Sequence, residues 1–217
     1  MPHDRRQSAL RLAAVAALLV AGLIAQLRFF ETYPQPQLFG DPAGYYRVGE
    51  RFQEASARLL AGEPPLAIFE SIRGLLYLSG VGLLFATLDA VRPGDFAFFR
   101  LVFALFNTAG MLGVFFLAKG LSRSFWGGLA GLVIAVAHPS YYVQTGRLYP
   151  DPVTGCLLVW AAYVYLTATR RASAWLMGLS GLVFTAALLV RSQLMEYLLV
   201  VLGLSLLGSA RAWMRVR

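Results

Sequence analysis

Apolar positions dominate this chain and come in long runs separated by short polar segments. Crossing a hydrocarbon core of about 30 Å takes roughly 17–25 residues of apolar helix. Six stretches meet that requirement: 9–29, 97–118, 126–143, 153–169, 174–190 and 194–210. A seventh, 74–88, holds 15 uncharged residues, about 22 Å of helix at 1.5 Å per residue, which is too short to span. Residues 42–61 follow another pattern. Tyr45, Val48, Phe52, Ala55 and Leu59 recur at helical spacing, with Arg47, Glu50, Arg51, Glu54 and Arg58 on the other faces. That pattern predicts an amphipathic helix lying along a membrane surface, with Glu54 and Arg58 as an i,i+4 ion pair. Gly62, Pro64 and Pro65 end it.

Basic residues decide the order of crossings. Arg5, Arg6 and Arg11 place the N-terminus in the cytoplasm. Lys119 with Arg123, Arg170 with Arg171, and Arg211, Arg215 and Arg217 all fall on the same side only if 74–88 does not cross. The fold class expected is therefore all-α: a single polytopic membrane module, 1–217, with six spans and both termini cytoplasmic. Its large outer loop, 30–96, carries two helices, 42–61 and a re-entrant or surface helix at 74–88. The first run is longer than the apolar core of a signal peptide and has no clean cleavage site, so it is expected to be a retained signal anchor. Ten of the eleven acidic residues then fall on the outer side, Asp4 being the exception. Acidic residues direct insertion weakly, so their gathering there points to chemistry on that face.

Composition agrees: 58% of residues are hydrophobic, 14% are charged and the mean hydropathy is +0.63, against about 25% charged in soluble domains. The net charge of +8 does not indicate a nucleic-acid partner, because the arginines cluster at the ends of apolar runs, where they set topology and meet anionic lipid head groups. Cys156 is the only cysteine, and His3 and His138 are far apart, so no cysteine- or histidine-based metal site is expected. Two separated carboxylates are able to hold a divalent cation, without a dedicated ligand cluster. No Walker or GxGxxG pattern and no internal repeat is present.

The candidate chemistry centres on two Asp-Pro pairs. Asp41 precedes Pro42 in "LFGDPAGYYRVGERF", and Asp151 precedes Pro152 in "RLYPDPVTG". Asp before Pro is a common helix start, with Asp as N-cap and Pro at the first helical position. Each Asp also has company that a cap does not require: Tyr45, Tyr46 and Arg47 near the first, Arg147 and Tyr149 near the second. Carboxylates beside arginines suit a reaction in which a base takes a proton while an anion departs. Arg191, at the outer end of the fifth span, and Arg73, beside the 74–88 segment, read either as interfacial snorkelling residues or as phosphate-binding forks. Glu63 and Glu70 read as solvated loop charges. His138-Pro139 reads as a helix terminus, Tyr141-Tyr142 as an interfacial aromatic belt, and Gly127, Gly128 and Gly131 as close packing positions.

The order of these features resembles the N-terminal part of the GT-C glycosyltransferases, in particular the relatives of protein O-mannosyltransferases and lipid A aminoarabinose transferases. The likeness rests on the first-loop Asp with its "YY…G..F" helix, the "RGLLY" apolar segment, the stretch "LAKGLSRSFWGGLAGLVIAVAHPSYYVQTGRLYPD" and a later Arg at the outer end of a span. It implies inverting transfer of a sugar from a polyprenyl-phosphate donor to a hydroxyl of a glycan, lipid or protein acceptor. The reaction would take place on the extracytoplasmic face of a bacterial plasma membrane. It further implies that Asp41 is the base, that Asp151 shapes the site and that Arg191 lies near the lipid phosphate. From their positions in the chain, Arg73 is expected beside the same phosphate, and Tyr45, Tyr46, Arg147 and Tyr149 are expected to contact substrate. Members of that family extend further, so a partner subunit supplying additional helices is the expected companion of a non-catalytic alternative, with small-residue faces such as Gly127/Gly131 free to receive it.

Overall fold

The computed structural model describes residues 2–32 and 41–191. Among them the secondary structure is entirely helical. Three helices are long and apolar enough to cross a membrane: within α1 (Pro2–Thr32) the segment Gln7–Thr32, then α5 (Phe96–Ser122) and α8 (Asp151–Arg171). Large apolar side chains such as Leu12, Leu105, Ile134 and Leu182 stand bare on the outside of the bundle. With every helical backbone bond made internally, this is the surface a lipid solvent requires. The expected sixth crossing, 194–210, and Glu196 lie outside the described residues.

Two further segments run between the same two ends of the bundle. The stretch expected to cross as one helix over 126–143 is broken into α6 (Phe125–Ala137) and α7 (Pro139–Gly146). Pro139 is the cause: it lacks the amide for a helical bond and pushes the preceding residue out of the helical region, so His138 adopts φ −78°, ψ 116°. Tyr142 is not simply part of an interfacial belt; its hydroxyl donates to the Val136 carbonyl and bridges the break. At 13 residues, α6 is about 20 Å long and cannot cross a 30 Å core alone. The pair starts beside Arg11, whose guanidinium lies over Phe125, and ends where Gly146 meets Phe29 and Phe30. It therefore returns alongside α1 from Arg11 to Phe30. Helix α9 (Ala174–Val190) runs antiparallel to α8 and comes back to the same end.

Polar side chains fasten α7, which is only eight residues long. Asn107 of α5 donates to Gln26 Oε1 of α1 at 2.9 Å and to Thr145 Oγ1 of α7 at 3.5 Å. Gln26, Asn107 and Thr145 are all buried. Such interhelical bonds are each worth about 0.6 kcal/mol in membrane proteins, so several are needed to hold a helix this short.

Residues 41–91 form a cap packed onto one end of the bundle. The amphipathic helix appears as α2 (Asp41–Leu60), with Val48, Phe52 and Ala55 buried and Leu59 exposed. The expected Glu54–Arg58 pair does not form. Glu54 instead pairs with Arg51 at 3.1 Å, and Arg58 pairs with Glu63 at 2.7 Å. The chain reverses at Gly62, whose φ is +85°, and brings Glu63 back beneath Arg58, so Glu63 is solvated as expected of a loop charge but paired. The 74–88 segment is a 3-10 turn (Arg73–Leu78) followed by α4 (Ser79–Val91). With α3 (Pro65–Ile72) it makes a bent pair, turned by 110° between Leu76 and Ser79. Val81, Phe85 and Leu88 of α4 join Phe99 and Phe103 of α5, with Leu148 and Val153, in one buried cluster. Glycine permits the α2–α4 contact: a methyl group on Gly82 would meet Phe52 at 2.7 Å and Val48 at 2.8 Å, and one on Gly49 would meet Phe85 at 2.7 Å.

Two predictions follow from this packing. Gly82→Val forces α2 and α4 apart at a typical overpacking cost of about 1–3 kcal/mol, whereas Gly178→Ala, with no neighbour within 4 Å, leaves stability unchanged or slightly raised. Thermal unfolding in detergent is the measurement, and equal midpoints for the two variants would refute the close approach. The second concerns Tyr46, whose phenol is pushed up from 10.0 to about 12, first by burial and then by its 3.0 Å hydrogen bond to Asp89. A raised pKa favours the neutral form in the fold. Its contribution is complete below about pH 10 and is lost as pH rises through about 12. Melting curves between about pH 9 and 12 should show that loss in the wild type and not in Tyr46→Phe.

Candidate functional site

The end of the bundle that carries α2–α4 collects the described carboxylates: Glu31 closes α1, Asp95 caps α5 and Asp151 opens α8. The α7–α8 turn there is "RLYPD", and its backbone is strained at Leu148, φ +57°, a region that bulky side chains rarely adopt. Leu148 is fully buried in the α4–α5 cluster. Burial of that side chain holds the turn and presents its neighbours, Arg147 and Tyr149, to a cavity of about 460 Å³. Ligand pockets commonly span about 300–1,000 Å³. Ser140 and Gln144 of α7 form one wall; Asp151 and Arg191 form another.

Asp151 and Arg191 make an ion pair, with their side chains 19% and 32% exposed respectively. The pair joins the N-terminus of α8 to the C-terminus of α9. Each charge therefore sits at the helix end whose dipole favours it, a carboxylate beside free amides and a guanidinium beside free carbonyls. Pro150 occupies the N-cap position of α8 and Asp151 is its first helical residue, so Asp151 opens the helix without being its N-cap. The carboxylate is held by Arg191 instead.

Four of the expected site residues thus meet in one cavity: Asp151, Arg191, Arg147 and Tyr149. The others are placed elsewhere. Tyr46 packs edge-on against Phe85 and Phe96, and Tyr45 packs against the same cluster, so neither lines the cavity. Arg73 begins the 3-10 turn, exposed, and does not line it either. Asp41 is the first residue of α2, and its side chain lies outside the described part of the structure. Arg147 has no ion-pair partner among the described residues, which leaves its guanidinium as the cavity's available cation. Among the described residues no three His, Cys, Asp or Glu side chains gather as metal ligands.

The chain matches no protein-family model, no curated protein and no solved structure.

One residue of consequence is absent from the sequence-based expectations. Arg100, 5% exposed, lies inside the apolar α5, donates from Nε to the Gly146 carbonyl at 3.1 Å and sits over the Phe30 ring at 5.6 Å. It occupies an orphan carbonyl at the end of α7, immediately before Arg147. A lone arginine five residues into the span "FAFFRLVFALFN" was the available signal, because ionisable residues inside spans are costly and are kept for a purpose.

A double-mutant cycle tests the ion pair. Asp151→Ala and Arg191→Ala are each expected to lower stability, and the double variant to lose less than their sum by of order 1 kcal/mol. The swap Asp151→Arg with Arg191→Asp should restore only part of the loss, because both charges then oppose their helix dipoles. Strict additivity in denaturation midpoints would remove the pair from the account of this site.

Proposed function

We propose that the chain is a membrane glycosyltransferase module of GT-C type, transferring a sugar with inversion from a polyprenyl-phosphate donor to an acceptor hydroxyl on the extracytoplasmic face. The observation that carries this reading is the convergence of Arg147, Tyr149, Asp151 and Arg191 on one cavity at the end of the bundle where the described carboxylates collect. The residue-level resemblance adds the reaction class. The orientation follows from the positive-inside rule applied to the opposite end, where Arg11, Lys119, Arg123, Arg170 and Arg171 gather. Six crossings in all, with both termini cytoplasmic, complete the proposed topology.

In this mechanism the donor phosphate binds Arg147, which has no competing described carboxylate, and the Arg191 fork, which Asp151 holds in place. Asp41 takes the proton from the acceptor hydroxyl. The resulting oxygen forms a bond to the anomeric carbon as the carbon–oxygen bond to phosphate breaks, and polyprenyl phosphate departs with the bonding electrons. Fixed guanidinium groups stabilise the charge that develops on the leaving phosphate. The competing reading is a non-catalytic lipid-binding subunit, favoured by the commitment of Asp151 to an ion pair. Its docking face is weakened, because Gly127 and Gly131 are occupied within the chain by Ser122 and Ala118 of α5.

Asp41→Asn removes the basic carboxylate while keeping a side chain of the same size that suits a helix start equally well. In membranes supplied with a labelled polyprenyl-phosphate sugar, the variant should retain its thermal stability and lose transfer by roughly 100-fold or more. Transfer at the wild-type rate would end the assignment of Asp41 as the base. Donor binding by the wild type with no transfer would favour the subunit reading.

A further inference from the structure

The other end of the bundle holds a second cavity, unrelated to glycosyl transfer. It measures about 450 Å³ and lies between the last turns of α5 and α8. Lys119, Arg123, Arg170 and Arg171 all line it, together with Phe116 and Tyr163, and no carboxylate does. Arg170 is fixed there by donating from Nη2 to the Gly120 carbonyl at 2.6 Å. Arg123 is the left-handed cap residue of α5, φ +54°, and Ala172 ends α8 in the same way, φ +47°. These turns set two basic segments side by side. Helix C-termini disfavour anions, but each contributes only about half a negative charge, against four formal positive charges on the cavity wall.

A groove adjoins this cavity. It measures about 460 Å³ and is lined mainly by apolar side chains, among them Leu12 and Val15 of α1 and Leu112 and Phe115 of α5. Phe116 and Lys119 border both spaces, and Arg11 stands beside the groove. From Lys119 back to Leu112 the groove follows α5 for about 10 Å. A basic cradle for a phosphate therefore continues into an apolar channel directed along the spans. A free anion would fill the first alone. A phospholipid fills both.

We propose that this pair of cavities is a binding site for one anionic phospholipid of the surrounding bilayer. Its phosphate and head group are held by Lys119, Arg123, Arg170 and Arg171, and the start of an acyl chain lies in the groove beside Leu112 and Phe115. Charge complementarity selects an anionic over a zwitterionic lipid, because a basic pocket between spans gains from each net negative charge near its Lys and Arg side chains.

The test uses the full chain, purified in a neutral detergent and offered phosphatidylglycerol or phosphatidylcholine, with retained lipid counted by native mass spectrometry. Phosphatidylglycerol should be retained at least about 10-fold better. The double variant Lys119→Gln, Arg123→Gln should reduce that retention roughly 30-fold, as expected for two basic side chains near a lipid head group. Arg28→Gln and Arg92→Gln together remove the same charge at the opposite end and should leave retention unchanged. Equal retention of the two lipids, or equal loss in both double variants, would overturn the site. Displacement of phosphatidylglycerol by millimolar inorganic phosphate or glycerol phosphate would make the ligand a soluble anion and would equally overturn the lipid assignment.

Discussion

The close approach of α5 and α8 is the constraint on which both ends of this molecule depend. A methyl group at Gly110 would stand 3.2 Å from the Cys156 backbone, and one at Gly113 would stand 2.9 Å from Val159. Trp160 adds a hydrogen bond across the same seam, from Nε1 to the Ala109 carbonyl at 3.0 Å. Lipid supplies no hydrophobic force between helices, so contacts of this kind, small residues and interhelical hydrogen bonds, decide how spans associate. Because two rigid helices are locked at their middles, their ends are locked as well. One end of the seam sets Asp151 beside the α7–α8 turn, and the other sets Arg170 beside Gly120.

Charge is divided between those ends in a way that single residues explain. At the basic end the described cations have no described carboxylate among them, and the cavity they line stays positive. At the other end positive and negative groups are mixed and largely neutralise one another, as in Arg28–Glu31, Arg51–Glu54, Arg58–Glu63, Arg92–Asp95 and Asp151–Arg191. The first four of these are well exposed and contribute little to stability. The last is more buried and bridges two helix termini, so it acts on the shape of the cavity more than the others can. Arg100 and Leu148 act on the same turn from behind, one by holding its carbonyl and the other by burying its strained residue. Arg147 owes its position to both.

Much of this arrangement was legible along the chain. The apolar run in "FAFFRLVFALFNTAGMLGVFF" identifies α5, and the spacing of Val48, Phe52 and Ala55 identifies the buried face of α2. Pro139 was visible too, and its effect on the 126–143 run follows from its missing amide. The ion pairs were less legible. Arg58 chose Glu63 over Glu54 because of a reversal at Gly62, and pairing across a turn depends on a path that helical spacing does not describe.

Hydrophobic periodicity and charge placement are local properties, and by themselves they determined that this chain is a helical membrane protein with an amphipathic first-loop helix and a basic set of span ends. They also singled out Asp151, Arg191, Arg147 and Tyr149 as chemically capable residues. Only the tertiary structure decided that these four share one cavity while Tyr45 and Tyr46 belong to the apolar cluster. It also decided that α4 packs into the bundle and that Gly127 and Gly131 are spent on α5. The reason is physical: which residues meet across 40 or more positions is fixed by how closely helices can approach, and that depends on glycines and buried amides whose partners lie elsewhere in the chain.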